Sequence, residues 1–196
     1  AIDGFEEAIE KGLNVVAIAM SGKLLELAKE YGVPYIQIPR DEDPDFQPRS
    51  ALVMSVRGIM KFMGLEDGLK QLSELADSLK AEDYEQVGKE LAERLQDKVP
   101  VIYTTTRNFS IAYQWKIKLN ETGKIPAFYN VFPELNHNEM TGFDVQESSK
   151  HLFGNFYFIF LKDSEDHPSN QKRMEVTEKL YKDRGLPVEV IEFEGD

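Results

Sequence analysis

The sequence predicts an α/β protein built on parallel sheet, with two βα halves joined by helices. Short apolar runs without alternation, such as NVVAIA from Asn14 and NFYFIFL from Asn155, read as strands buried on both faces. Segments of helical periodicity separate such runs. A mainly helical stretch from Ser50 to Asp97 lies between two regions of this kind.

Taken in order, Phe5 to Gly12 reads as the end of an amphipathic helix, with Phe5, Ala8 and Ile9 on one side and Gly12 closing it. NVVAIA follows as a strand. SGKLLELAKEYG then spaces Leu24, Leu25, Leu27 and Ala28 helically, with Ser21 as N-cap and Gly32 as terminator. PYIQIP is the next strand, and strand, helix, strand at this spacing is a βαβ unit with a right-handed crossover. RDEDPDFQPR, from Arg40 to Arg49, reads as a solvated acidic loop, although Arg49 beside Ser50 at a helix start can also point its guanidinium at the sheet's carboxyl edge. Within Ser50–Asp97, Gly64 and Gly68 are the expected breaks. VPVIYTTT, AFYNVF, NFYFIFL and VEVIEF then read as strands, with helices over Ser110–Glu121 and Asn170–Arg184. The expected division is 1–45, a partial first half; 46–98, connecting helices; and 99–196, the second half.

Composition narrows the function classes. With 41% hydrophobic and 30% charged residues, the 196-residue chain is ordinary for a globular protein. No apolar run reaches the roughly 18–20 residues of a membrane span and no signal segment opens the chain, so a cytoplasmic protein without a membrane partner is expected. A net charge of −12 argues against nucleic acid as a partner. An anionic substrate needs a local exception to that field, built from arginines, lysines and helix N-termini. The absence of cysteine removes thiolate catalysis and disulfides.

The chemistry-bearing residues concentrate between Leu119 and Phe143. Glu121 falls at a helix C-terminus beside a strand start, facing the negative end of the helix dipole, a setting that suits a general base; an exposed terminal glutamate is the plain alternative. Trp115, on one stripe with Ala112 and Leu119, reads as core. His137, flanked by Asn136 and Asn138, is a residue type that donates and accepts protons near neutral pH. Glu134, His137 and Glu139 can also be read as metal ligands, but the three histidines, at 137, 151 and 167, stand in unlike contexts without HxxxH spacing, and no metal or cofactor is expected. YTTTRN, from Tyr103, is a strand end feeding a helix, where hydroxyls and free amides can cradle an anion or simply cap the helix. Neither GxxxxGK[ST] nor GxGxxG occurs, which leaves nucleotide chemistry unsupported.

WKIKLNETGKIPAFYNVFPELNHNEMTGF, with SGKLLELAKEYGVPYIQIP and PRSAL upstream, resembles the bifunctional phosphoglucose/phosphomannose isomerases of the sugar isomerase (SIS) superfamily. The likeness runs over nearly the whole chain, and LNE followed by NHNE is its most specific part. It implies a parallel-sheet SIS-type sandwich and interconversion of glucose 6-phosphate or mannose 6-phosphate with fructose 6-phosphate, without a cofactor. On the matching positions it implies Glu121 as the base, Arg49 as the residue steadying the enediolate, and His137 as the ring-opening acid/base. His137 lies 16 residues after Glu121, a separation shared with the related SIS isomerase of amino-sugar synthesis. The resemblance also implies a homodimer in which His137 acts across the interface. Ser21, Arg49, Thr104 and Arg107 are the candidate substrate contacts. The family's SerGlyAsnThr-type phosphate loop and its C-terminal catalytic lysine have no counterpart in the sequence, so the chain is expected to match an interior portion of a family member. The rival reading from another class is a non-catalytic SIS module that binds sugar phosphates.

Overall fold

The computed structural model describes residues 1–39 and 46–193; the greater part of the expected acidic loop, 40–45, lies outside the described residues. The chain divides into two compact units, Ala1–Ala81 and Glu82–Asp196. The segment expected as a connector, 46–98, is therefore shared between them.

In the first unit, α1 (Ile2–Glu10) precedes β1 (Ala17–Ala19), α2 (Lys23–Glu30) and β2 (Tyr35–Gln37), followed by a single 3₁₀ turn (Pro48–Ala51), α3 (Leu52–Phe62) and α4 (Glu66–Ser78). The strands pair in parallel, Ala17 against Tyr35 and Ala19 against Gln37. This ladder is shorter than NVVAIA and PYIQIP suggest. Pro34 accepts a bond from the Ala17 amide but has no N–H to return, so pairing starts only there. Phe5, Ala17, Leu27 and Ala28 form the buried centre, with Leu24 packed against it.

Two local expectations are corrected. Ser21 makes no cap bond to α2; Gly22, at φ +88°, takes the N-cap position in a conformation that disfavours side chains. Gly64 does end α3, at φ +69°, but Gly68 lies inside α4 and breaks nothing. A Cβ there would meet the Met60 methyl at 2.6 Å, so the missing side chain brings α4 close to α3.

The second unit contains α5 (Glu82–Arg94), β3 (Val99–Thr105), α6 (Phe109–Glu121), β4 (Phe128–Phe132), the one-turn α7 (Glu139–Gly142), β5 (Phe156–Lys162), α8 (Pro168–Asp183) and β6 (Val188–Glu192). Its four strands are all parallel, in the order β4-β3-β5-β6. Because strand side chains alternate, Val101, Tyr103, Phe158 and Phe160 join one core with Met174 and Tyr181 of α8, while Ile102, Ile159 and Leu161 join another with Ala112 of α6 and Leu95. Trp115 and Leu119 pack on this second core, which explains why the α6 stripe is apolar.

The Arg94 guanidinium donates through Nε and Nη2 to both oxygens of Glu189, and Tyr157 donates its hydroxyl to the same carboxylate at 2.8 Å. The hydrogen bond from Arg94 holds the Glu189 carboxyl below its usual range, against the opposing effect of burial and with further help from Tyr157. A carboxyl depressed in the folded state contributes stability that is present above its unfolded value of about 4.3 and is lost as pH falls through the lower folded value. The melting temperature of the parent should therefore fall more steeply than that of Glu189→Gln as pH falls below about 4.5. Parallel slopes in circular-dichroism melts across this range would contradict the assignment.

Candidate active site

The sheet order of the second unit defines two edges with different chemistry. From β3 the chain passes through α6 to β4 on one side, and from β5 through α8 to β6 on the other. The crevice between the carboxyl ends of β3 and β5 is thus a topological switch point, where α/β sheets commonly receive ligands. YTTTRN supplies one of its walls.

Thr104 is fully buried and donates its hydroxyl to the Leu161 carbonyl at 3.0 Å, tying β3 to β5 and leaving it inaccessible in this conformation. The neighbouring Thr105 donates to Asp166 Oδ1 at 2.6 Å. Asn108 donates to Asp163 at 2.8 Å, and Arg107 grips both the backbone carbonyl and the carboxylate of Glu165. Those partners push the Arg107 guanidinium up and, through Asn108 first, the Asp163 carboxyl down. Asp166 was not singled out by its sequence context. It is nonetheless buried with its Oδ2 unpaired among the described residues, because α8 begins immediately after it and closes over it.

Glu121 and His137 lie at opposite edges of this sheet. α6 leaves the carboxyl end of β3 and runs back against the strands for 13 residues, so Glu121, its last residue, stands exposed at the amino edge. β4 then returns to the carboxyl edge, and His137 follows five residues beyond its end, also exposed. The five residues of β4 alone separate these levels by about 17 Å. The two side chains of one chain therefore do not meet.

His137 is exposed, as is Asn138 beside it, in a segment whose Leu135, Asn136 and Glu139 turn inward. Leu135 is fully buried in the core. Asn136 Nδ2 donates to Thr177 Oγ1 of α8 at 3.0 Å, while its Oδ1 is buried without a partner among the described residues. Asn138 caps α7 by accepting from the Glu139 amide at 2.6 Å. Glu139 itself turns in, where Tyr103 donates its hydroxyl to one oxygen at 2.5 Å and Asn130 its amide to the other. Tyr181 lies 3.4 Å from the Tyr103 hydroxyl. Burial, aided by the neighbouring Tyr181 phenol and Glu139, pushes the Tyr103 phenol far up, and burial pushes that of Tyr181 up to about 12. Both therefore stay protonated at neutral pH. Glu134, His137 and Glu139 point to different places, and no cluster of three possible metal ligands occurs among the described residues.

In front of His137 opens a cleft of about 760 Å³, with Asn136 and Met140 on one side and Ser169, Lys172 and Arg173 of α8 on the other. Its basic side chains and the amino end of α8 supply a local exception to the net negative field.

The remaining candidates belong to the first unit. Ser21 is exposed just past the carboxyl end of β1, next to the positive-φ Gly22. Arg49 is half-buried in the 3₁₀ turn that opens α3. Among the described residues no helix is long and apolar enough to cross a membrane.

The chain has relatives among known proteins. The model of the bacterial phospho-glucose isomerase C-terminal SIS domain matches residues 84–196. A bifunctional phosphoglucose/phosphomannose isomerase of Aquifex aeolicus is 34% identical over all of this chain and 58% of its own length. One of Caldicellulosiruptor bescii is 37% identical over 92% of the chain and 56% of its own length. The chain thus spans little more than half of the relatives it matches. A crystal structure from Clostridium difficile 630, whose description names a phosphosugar isomerase, covers 98% of the chain with a TM-score of 0.59 at 16% identity and shows the fold alone.

Proposed function

We propose, from the premise that the chain belongs to the family of the bacterial phosphoglucose isomerase C-terminal SIS domain, that it takes part in aldose–ketose isomerisation of a hexose 6-phosphate. The observation that carries this reading is that the matched region, 84–196, contains both LNE, ending at Glu121, and NHNE, around His137.

The chemistry assigns each residue a task. Starting from the aldose, the Glu121 carboxylate removes the proton on C2, the electrons pass to the C1 carbonyl oxygen, and a cis-enediolate forms. The same proton returns to C1 while the O2 hydroxyl proton passes to O1, giving fructose 6-phosphate. Glucose and mannose 6-phosphates differ only at C2, which is planar in the enediolate, so one intermediate leads to both sugars. The Arg49 guanidinium offsets the oxyanion as charge develops. His137 opens the sugar ring by exchanging protons with the ring oxygen and the anomeric hydroxyl. Ser21 and Arg107 are proposed each as a substrate contact, Arg107 by exchanging Glu165 for the substrate, with Thr104 behind Arg107.

A site that needs both Glu121 and His137 takes them from two copies. The support for this is their position at opposite edges of one sheet, and it makes a homodimer with His137 acting across the interface part of the proposal.

The test is a coupled assay of fructose 6-phosphate conversion by the chain, reading glucose 6-phosphate and mannose 6-phosphate separately. Formation of both products is the expected result. Saturable binding of fructose 6-phosphate by calorimetry without either product would instead identify a non-catalytic SIS module.

A further inference from the structure

We infer that Glu139 and Tyr103, with Asn136, are positioning residues for His137. They fasten the backbone on both sides of the imidazole so that it faces outward with a fixed aim. This rests on the reading of His137 as the ring-opening group and extends it to residues that the substrate does not touch.

The argument starts from what a histidine in a short loop lacks. A residue between two turns, outside any long helix or strand, has no regular ladder to fix its direction, yet proton transfer to a ring oxygen demands placement within a fraction of an ångström. Here the ladder is replaced by half-buried polar bonds. On the amino side Asn136 reaches α8 through Thr177 at 3.0 Å, and the His137 amide donates to the Glu134 carbonyl at 2.9 Å. On the carboxyl side Glu139 accepts from Tyr103 of β3 and Asn130 of β4, so its two oxygens are held by adjacent strands of the sheet. Arg184 closes the segment by donating to the carbonyls of Met140 and Phe143 at 3.3 and 3.2 Å.

The arrangement is costly for a merely structural loop. A half-buried carboxylate beside two tyrosines keeps both of its donors to advantage, because each unmet bond leaves a partly desolvated group. An apolar residue at 139 would have filled the space between Tyr103 and α8 without that requirement. Charged acceptance from two strands instead gives one orientation of the turn rather than several. Charged groups that approach His137 from outside its own segment come from α8, Lys172 and Arg173, so the imidazole is held from behind and faced by cations across the cleft.

The test is a double-mutant cycle read as kcat on fructose 6-phosphate, with Tyr103→Phe and Glu139→Ala each made in the parent and in His137→Ala. Tyr103→Phe keeps the ring volume and guards against simple misfolding. In the parent, kcat should fall about tenfold for Tyr103→Phe and about 30-fold for Glu139→Ala, with KM changed less than about twofold. In the His137→Ala background both effects should shrink to below about twofold, since residues that act through one group are non-additive with its removal. Equal losses in both backgrounds would overturn the inference and mark the network as general scaffold. Unchanged turnover in His137→Ala, or a chain without turnover, would remove the ring-opening reading itself. The decision then falls to the imidazole resonances of the three histidines by NMR. A His137 signal that moves and broadens in both variants while His151 and His167 stay put supports the anchoring, and an unmoved His137 signal overturns it.

Discussion

Glu121→Gln is expected to abolish isomerase turnover while leaving fold and sugar-phosphate affinity in place. The amide is isosteric with the carboxylate but cannot accept the C2 proton, and removal of a general base costs up to about 10⁴-fold in kcat. The fold should not notice, because Glu121 is exposed at the end of α6 and is not packed in the core of Ala112, Ile102 and Leu161. A loss of roughly 10³-fold or more in the coupled assay, with unchanged melting temperature, is the predicted outcome. Turnover above a tenth of the parent would remove Glu121 from the role of base. Mixing this variant with His137→Ala separates the dimer proposal from the rest. If each site draws Glu121 from one copy and His137 from the other, a mixed dimer holds one intact site and one doubly altered site. Random exchange then restores about a quarter of parental activity. Two variants whose activity does not recover after subunit exchange would place both groups in one chain's site, against the topology of β4 and α6.

Phe158→Ala should be the most damaging change to the second unit. Its ring is fully buried, with centroids 4.6 Å from Tyr181, 4.8 Å from Phe143 and 5.6 Å from Tyr103. Truncation removes the transfer energy of the ring and opens a cavity that the neighbouring rings fill only in part, a cost of about 3–5 kcal/mol. For a unit of this size that is a fall of about 10–20 °C in melting temperature. Phe128→Ala is the matched control. Phe128 is 54% exposed on the edge strand β4, so its loss should cost about 0.5 kcal/mol. Urea unfolding of both variants against the parent checks the pair, and similar midpoints would mean that the sheet face toward α8 is not the core described above.

Strand and helix content was legible because each element repeats one signal. The runs at Val99 and Asn155 are apolar on both faces since β3 and β5 are flanked on each side by another strand and covered above and below by helices, leaving no solvent face to encode. The α6 stripe of Ala112, Trp115 and Leu119 follows the core it covers. The glycines were less legible. Gly64 and Gly68 look alike in sequence, and only the backbone distinguishes a positive-φ helix end from a helical glycine packed on Met60. The position of Ser21 as a cap failed for a similar reason, since Gly22 takes the turn that a cap needs.

For the candidate site, the sequence by itself determined the residue types and their order: a carboxylate ending a helix, a histidine between two asparagines, an arginine opening a helix and a threonine-rich strand end. Those are local properties, and chain spacing carries them. Tertiary structure alone decided which of these groups face each other. The reversal of α6 against β3 and β4 sends Glu121 and His137 to opposite edges although only sixteen residues separate them. The pairing of Glu139 with Tyr103, 36 residues away, and of Thr105 with Asp166, 61 residues away, exists only because parallel strands bring distant carboxyl ends together. Such contacts leave no periodic trace along the chain, because a buried hydrogen bond constrains two positions and the spacing between them is set by every element that intervenes.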